Sequence, residues 1–317
     1  MVPEPSSNWT QASSWANDWQ NLFHFEVGIF VFFSLLIFSV ILYFAVKYRR
    51  RAGNEAPPPT KDYLPLEITW TAVPAAICVV MFLWGAALFV RNGVPPAAAT
   101  EIFVVGKQWM WKIQYPDGRR DINELHVPVG VPIKLTMASE DVIHDFAIPA
   151  FRIKKDVVPG HYTTLWFTAT KTGRYHLYCD QYCGTSHSAM VGWVNVMEPA
   201  QYAQWLSGSG GGKSLAETGA DLYKQYACNT CHDIGRGPSF VGLYGTSVKL
   251  SNGQTVLADD AYIRESILNP SAKIVAGYTP LMPTFQGQLG EEQILQLTAY
   301  IKSLAKHDGE ERKAAKP

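Results

Sequence analysis

Two long stretches without a charge constrain this chain more than any other feature. Val27 to Val46 runs for 20 residues, and Ile68 to Val90 for 23, with no Asp, Glu, Lys or Arg. A helix rises about 1.5 Å per residue, so roughly 20 apolar residues cross the hydrocarbon core of a bilayer. The pattern predicts a transmembrane hairpin with helices over about 27–48 and 67–90. Buried helices of a soluble core rarely stay uncharged for so long. Pro74 falls inside the second helix, where neighbours must satisfy the freed backbone. Between the runs stand Lys47, Arg49, Arg50, Arg51 and Lys61 against Glu55 and Asp62. The positive-inside rule puts this loop in the cytoplasm and both termini outside, as in a multi-pass protein of a bacterial inner membrane. Trp15, Trp19, Phe23 and Phe25 lead into the first helix as an interfacial aromatic belt.

Averages conceal this division. The whole chain of 317 residues has a mean hydropathy of −0.03 and 27 basic against 27 acidic side chains. That balance excludes a strongly basic nucleic-acid binder, and the composition excludes a disordered or collagenous chain. Residues 1–95 form the N-terminal segment and hairpin. Residues 96–206 look like strands, among them Glu101–Val105, Ile133–Met137, Thr163–Thr168 and Val191–Val196. Pro and Gly punctuate them at intervals that suggest an all-β sandwich or barrel. Ser-Gly-Ser-Gly-Gly-Gly begins a linker over 207–213. Residues 214–305 turn helical, with Ile294, Leu297, Ile301 and Leu304 at helical spacing, and 306–317 is a charged, flexible tail.

Most of the chain would thus face an oxidising compartment, where cysteines are disulfides or cofactor ligands. Of the five, Cys78 lies mid-helix in the hairpin and reads as a small buried apolar residue. Cys179-Asp-Gln-Tyr-Cys183-Gly-Thr-Ser-His187-Ser-Ala-Met190 gathers two thiols, an imidazole and a thioether. Soft sulfur ligands favour copper, and a structural zinc site would leave Met190 idle. A plain disulfide would explain neither His187 nor Met190. His144, in Ser139-Glu-Asp-Val-Ile-His144, supplies a second imidazole from a segment between strands. Cys228-Asn-Thr-Cys231-His232 carries the C-x-x-C-H signature of covalent haem attachment; a C-x-x-C redox pair is the alternative.

The spacing C-x3-C-x3-H-x2-M with its upstream histidine resembles the dinuclear copper A centre of cytochrome c oxidase subunit II. Gly106-Lys-Gln-Trp109-Met-Trp111 and Ile153-Lys-Lys-Asp156-Val-Val-Pro-Gly160 resemble further segments of that family. The resemblance implies a cupredoxin-like barrel in which Cys179 and Cys183 bridge two coppers. His144 and His187 would bind one copper each, Met190 would be the weak ligand, and the backbone carbonyl of Gln181 the last. The family most often has Glu where Gln181 stands, and that Glu side chain also holds a magnesium or manganese ion. A backbone ligand survives the change; whether the second ion site survives it is left open by the sequence. Trp109 would be the point of electron entry, and Glu67 would stand at the mouth of a proton channel into subunit I.

Gly237-Pro-Ser-Phe-Val-Gly-Leu-Tyr-Gly245 and Thr279-Pro-Leu-Met282-Pro283 resemble the loop segments of small class I cytochromes c, which are all-α. This implies one haem c, with His232 and Met282 as axial ligands. The whole resembles subunit II of a caa-type oxidase, working with subunits I and III and taking electrons from an upstream cytochrome or respiratory complex. A copper-A nitric oxide reductase uses a similar small subunit and is the first alternative. A copper-handling or redox-scaffold protein is the second, and it would leave Met282 and the haem motif idle.

Overall fold

The computed structural model describes residues 10–49, 62–208 and 213–304. Arg50, Arg51, Glu55 and Lys61 of the basic loop, residues 209–212 of the linker and the 306–317 tail lie outside the described residues. The described chain forms two compact units: Ser14–Val94, and all the rest.

The first unit is the helical pair α1 (Ala16–Lys47) and α2 (Leu64–Gly93). Both are long and apolar enough to cross a membrane, and their apolar windows are only 0% and 6% buried, unlike the core helices of a soluble protein. α1 begins well before the uncharged run, at Ala16. Its polar first turns are held by a contact the apolar pattern does not show: Asp18 pairs with Arg91 in the last turn of α2, and the Arg91 guanidinium lies 5.1 Å from the Trp15 ring. Phe25 meets Trp84 at 5.7 Å. α2 continues through Pro74, and Cys78 is exposed on it rather than buried, because a lone hairpin leaves most of each helix face uncovered.

The second unit opens with ten strands. They are β1 (Thr100–Lys107), β2 (Met110–Gln114), β3 (Arg120–Ile122), β4 (Glu124–Pro128), β5 (Pro132–Ser139), β6 (His144–Ile148), β7 (Ile153–Val157), β8 (Thr163–Thr168), β9 (Gly173–Cys179) and β10 (Val191–Met197). They make two five-stranded sheets, in the orders β3-β2-β1-β5-β8 and β4-β10-β9-β6-β7. β1 pairs parallel to β5 and β10 parallel to β4; the other pairings are antiparallel. Ile102, Ile113, Leu135, Phe146, Leu177 and Val194 are fully buried. Burial alternates along β2, β4, β9 and β10, as in a β-sandwich of the cupredoxin-like kind. The N-terminal residues Ala12 and Ser13 belong to this unit, with Ser13 bridging Ala169.

A helix α3 (Pro199–Ser207) follows β10, with Trp205 stacked on His126 at 4.3 Å and capped by the Arg119 guanidinium at 3.5 Å. Beyond the linker come α4 (Leu215–Gln225), the one-turn α5 (Asn229–His232), a two-stranded pair β11 (Ser247–Lys249) and β12 (Thr255–Leu257), α6 (Asp260–Leu268) and α7 (Glu291–Leu304). The β-pair departs from an all-α expectation. Its sequence explains it: Asn252-Gly253, with Gly253 at φ +86°, supplies the turn between the β-branched Val248 and Val256. Ser214 and Glu217 form a reciprocal capping box that starts α4. Ile294, Leu297 and Ile301 of α7 enter a core with Leu222, Tyr223 and Ile263, as their spacing predicts.

α4 and α7 cross closely at Gly219. A Cβ there would sit 2.0 Å from the Gln296 carbonyl oxygen, a backbone atom that cannot swing aside. Gly219→Val is therefore expected to destabilise the helical part by about 3 kcal/mol, the upper range of overpacking. Thermal unfolding followed by circular dichroism measures it, and an unchanged midpoint would contradict the crossing.

Candidate copper and haem sites

The first site is built from one hairpin loop and one neighbouring strand. β9 ends at Cys179 and β10 begins at Val191, so the loop between them carries Gln181, Cys183, His187 and Met190. The loop closes on itself: Cys179 N–H donates to the Met190 carbonyl at 3.2 Å, His187 N–H to Gly184 at 3.0 Å and Met190 N–H to His187 at 3.1 Å. Gly184 adopts φ +114°, and a Cβ on it would meet Gln108 Nε2 at 2.9 Å.

His144 comes from β6, not from a loop between strands. The pairing of Phe146 with Cys179 puts His144, two residues earlier on β6, level with the hairpin loop. Its ring is fully buried and lies edge-on to Trp111 at 5.8 Å. Gly106 makes room for it, since a Cβ there would come within 3.0 Å of the imidazole.

Six donors converge. The two Sγ atoms of Cys179 and Cys183 are 3.7 Å apart, well beyond the roughly 2.05 Å of a disulfide. Cys179 Sγ lies 3.9 Å from His144 Nδ1 and 3.3 Å from the Gln181 carbonyl. Cys183 Sγ lies 3.5 Å from His187 Nδ1 and 3.8 Å from Met190 Sδ. Each sulfur thus has an imidazole and one weaker donor as neighbours. The Gln181 carbonyl faces the cluster while the residue itself is exposed. Two thiols, two imidazole nitrogens, a thioether and a carbonyl form a soft, largely buried set suited to copper.

A residue without an assigned role in the sequence reading orients this set. Asp141 Oδ1 accepts from His144 Nε2 at 2.8 Å, which orients the ring with Nδ1 toward the sulfurs. Its carboxylate also takes the Gln108 and Val142 amides at 2.8 and 2.7 Å. Burial opposes ionisation of Asp141, yet these donors hold its pKa below the usual carboxylate value. Trp109 is half-buried, and its Nε1 donates to the Cys183 carbonyl at 3.2 Å beside Gln108 Nε2 at 2.9 Å. Glu67 stands in the first turn of α2, in the other unit.

The two thiols differ. Burial opposes ionisation of Cys179, but His144 and nearby backbone groups bring it down to about 7. Burial and the adjacent Cys179 sulfur push Cys183 up to about 12. One thiolate forms readily, and the second waits for a cation to replace its proton.

The second site is a turn facing a cavity. α5 brings Cys228, Cys231 and His232 onto one turn, in which Cys231 and His232 both donate their amides to the Cys228 carbonyl, at 3.2 and 3.1 Å. His232 Nδ1 donates to the Pro238 carbonyl at 2.7 Å, so the other ring nitrogen is free to bind a metal. Burial lowers the His232 pKa, favouring the neutral ligand form. Gly237 packs under the ring, with a Cβ position 3.1 Å from it. Two adjoining cavities of about 110 and 240 Å³ are lined by both His232 and Met282, and the second also by both cysteines.

In the metal-free protein the Cys179–Cys183 pair is expected to lose its two protons in separate steps, one below and one above the ordinary cysteine value, as read by thiolate absorbance. A single shared step at the ordinary cysteine value of about 8.5 would contradict the asymmetry.

Three segments of the chain match known families. Residues 8–88 match the transmembrane domain of cytochrome c oxidase subunit II, and residues 119–197 match its periplasmic domain. Residues 214–301 match the family described as cytochrome c oxidase, cbb3-type, subunit III. Cytochrome c oxidase subunit 2 of Thermostichus vulcanus is 31% identical over 62% of this chain and 76% of its own length. That of Alkalihalophilus pseudofirmus is 28% identical over 86% of this chain and 82% of its own, a span that includes helical residues beyond the linker. The alternative cytochrome c oxidase subunit 2 of Bradyrhizobium diazoefficiens is 31% identical over 62% and 82%. These families imply copper A and a haem, and the two donor sets fit them. The chain belongs to the cytochrome c oxidase subunit II family and carries a cytochrome c domain, which makes it an electron-transferring subunit of a haem–copper oxidase.

Proposed function

We propose that this chain is subunit II of a caa-type oxidase, with a class I haem c domain delivering electrons to a dinuclear copper A centre. The observation that carries the reading is the convergence of six donors around two sulfurs 3.7 Å apart, in a chain that also lines one cavity with Cys228, Cys231, His232 and Met282. When bound, the haem and the copper pair each accept and release one electron.

The residues have distinct tasks. Cys228 and Cys231 would hold the haem covalently, and His232, its tautomer set by Pro238, and Met282 would be the iron ligands. A thioether axial ligand raises the haem potential. Cys179, Cys183, His144, His187, Met190 and the Gln181 carbonyl would hold the copper pair. All donor positions are filled from the chain, which suits electron transfer rather than substrate binding. A barrel that fixes these donors by strand register limits their movement when charge changes. Trp109, bonded to the Cys183 carbonyl, is the electron entry point. Glu67 at the start of α2 opens the proton channel of subunit I. The uncharged amide of Gln181 offers no carboxylate to an interfacial magnesium or manganese ion.

Oxygen reduction coupled to proton pumping takes place in subunit I, with subunit III alongside. Both termini and both redox domains lie outside a bacterial inner membrane, and an upstream cytochrome or respiratory complex is the donor.

In the purified complex, oxygen is the expected acceptor; turnover on nitric oxide alone would overturn the oxidase assignment. Cys228→Ser should abolish normal covalent haem attachment, read by haem staining on a denaturing gel, and unchanged staining would refute that role. Met190→Leu should alter the copper spectrum and spare the haem. A silent copper spectrum would remove Met190 from the ligand set.

A further inference from the structure

β1 is apolar on both faces. Ile102 and Val104 point into the sandwich, yet Phe103 and Val105, of opposite parity, are also buried, at 4% and 0% exposure. A strand with one face in water alternates apolar with polar residues, whereas one covered on both sides reads as a continuous apolar run. The cover is the haem domain. Phe103 and Val105 form one buried cluster with Leu215 of α4 and Leu295 of α7, flanked by Tyr162 and Ala299. α7 therefore has two apolar faces: Ile294, Leu297 and Ile301 enter its own domain, while Leu295, Ala299 and Lys302 form a stripe toward β1.

Charges lock the same seam. Lys302 Nζ lies 3.0 Å from Glu101 Oε2 of β1 and 2.7 Å from Asp260 Oδ1 of α6. Glu101 is held in turn by Lys134 at 2.8 Å and Thr136 at 2.6 Å on β5. These side chains are about three-quarters or more buried. Burial opposes the Glu101 charge, but Lys302 and Lys134 bring its pKa down to about 2, so the carboxylate stays ionised. At the margins Arg120 pairs with Glu292 at 2.8 Å, and Arg264, paired with Glu291, donates to the Gly160 carbonyl at 2.6 Å.

We propose that the outer face of β1 is a permanent seat for the chain's own haem domain, with Glu101 and Lys302 as positioning residues that hold the haem and copper sites in one geometry. The proposal rests on the haem–copper reading above. A seated domain would make haem-to-copper transfer a first-order step with no diffusional search, the haem giving up one electron and the copper pair taking it. Outward pairs answer to salt, whereas a buried pair sealed by Phe103 and Leu295 is screened little.

The test uses the full-length oxidase with Glu101→Gln, Lys302→Met, both together, and Lys302→Arg. Two readouts are taken: hydrogen exchange of residues 215–225 and 291–304, and the rate of haem-to-copper equilibration after photoreduction at low and high salt. The wild type is expected to exchange slowly in both segments and to show a salt-independent rate. Each neutral single variant should speed exchange at least tenfold, slow equilibration at least tenfold and make it salt-dependent. The double variant should be no worse than the worse single, and Lys302→Arg should restore both readouts. Wild-type exchange in the variants would overturn the seat, and faster exchange with an unchanged rate would overturn the positioning role. Haem staining and copper absorbance are recorded on every sample. Their absence from the wild type would count against the cofactor reading, while exchange still reports on the seam.

Discussion

The copper end of the molecule depends on one strand register. Phe146 of β6 lies opposite Cys179 of β9, and from that pairing His144 arrives level with the β9–β10 loop. A slip of one residue would turn every β6 side chain to the other face, moving His144 away from the sulfurs and Phe146 out of the core. The register is secured by what surrounds it. Phe146 and Ile148 are fully buried, β7 closes the outer edge against β6, and Gly106 leaves room for the imidazole. Core packing and donor placement are consequences of the same hydrogen-bond ladder, so the metal set inherits the stiffness of the sheet.

Both sites use the same device one step further out: a backbone or carboxylate acceptor fixes the tautomer of a histidine. Asp141 holds Nε2 of His144, and the Pro238 carbonyl holds Nδ1 of His232. In each case the nitrogen left over is the one facing the site. Close backbone approaches, at Gly106 beside His144 and at Gly237 beside His232, let these rings sit where side chains would otherwise collide.

Much of this was legible in the chain. The uncharged runs announced α1 and α2, the four named strand segments appear as β1, β5, β8 and β10, and the ligand spacing singled out the residues that converge. Three things were not. α1 extends to Ala16 because Asp18 finds Arg91, a partner 73 residues away that no local period reveals. His144 read as lying between strands because its neighbours Ser139-Glu-Asp are polar, yet pairing with Val157 makes it the first residue of β6. Asp141 stood in the quoted motif without a role, since only the fold shows which nitrogen of His144 it occupies.

The sequence by itself determined the parts: which segments are apolar enough for a membrane, which donors exist and at what spacing, and which face of the last helix is apolar. Hydrophobic period, charge and motif spacing are local properties that survive in an unfolded chain. Only the tertiary structure decided which donors face one another, that Asp141 orients His144, and that β1 carries α7 on its outer face. Those depend on long-range strand register and on burial, which exist only once distant segments have packed.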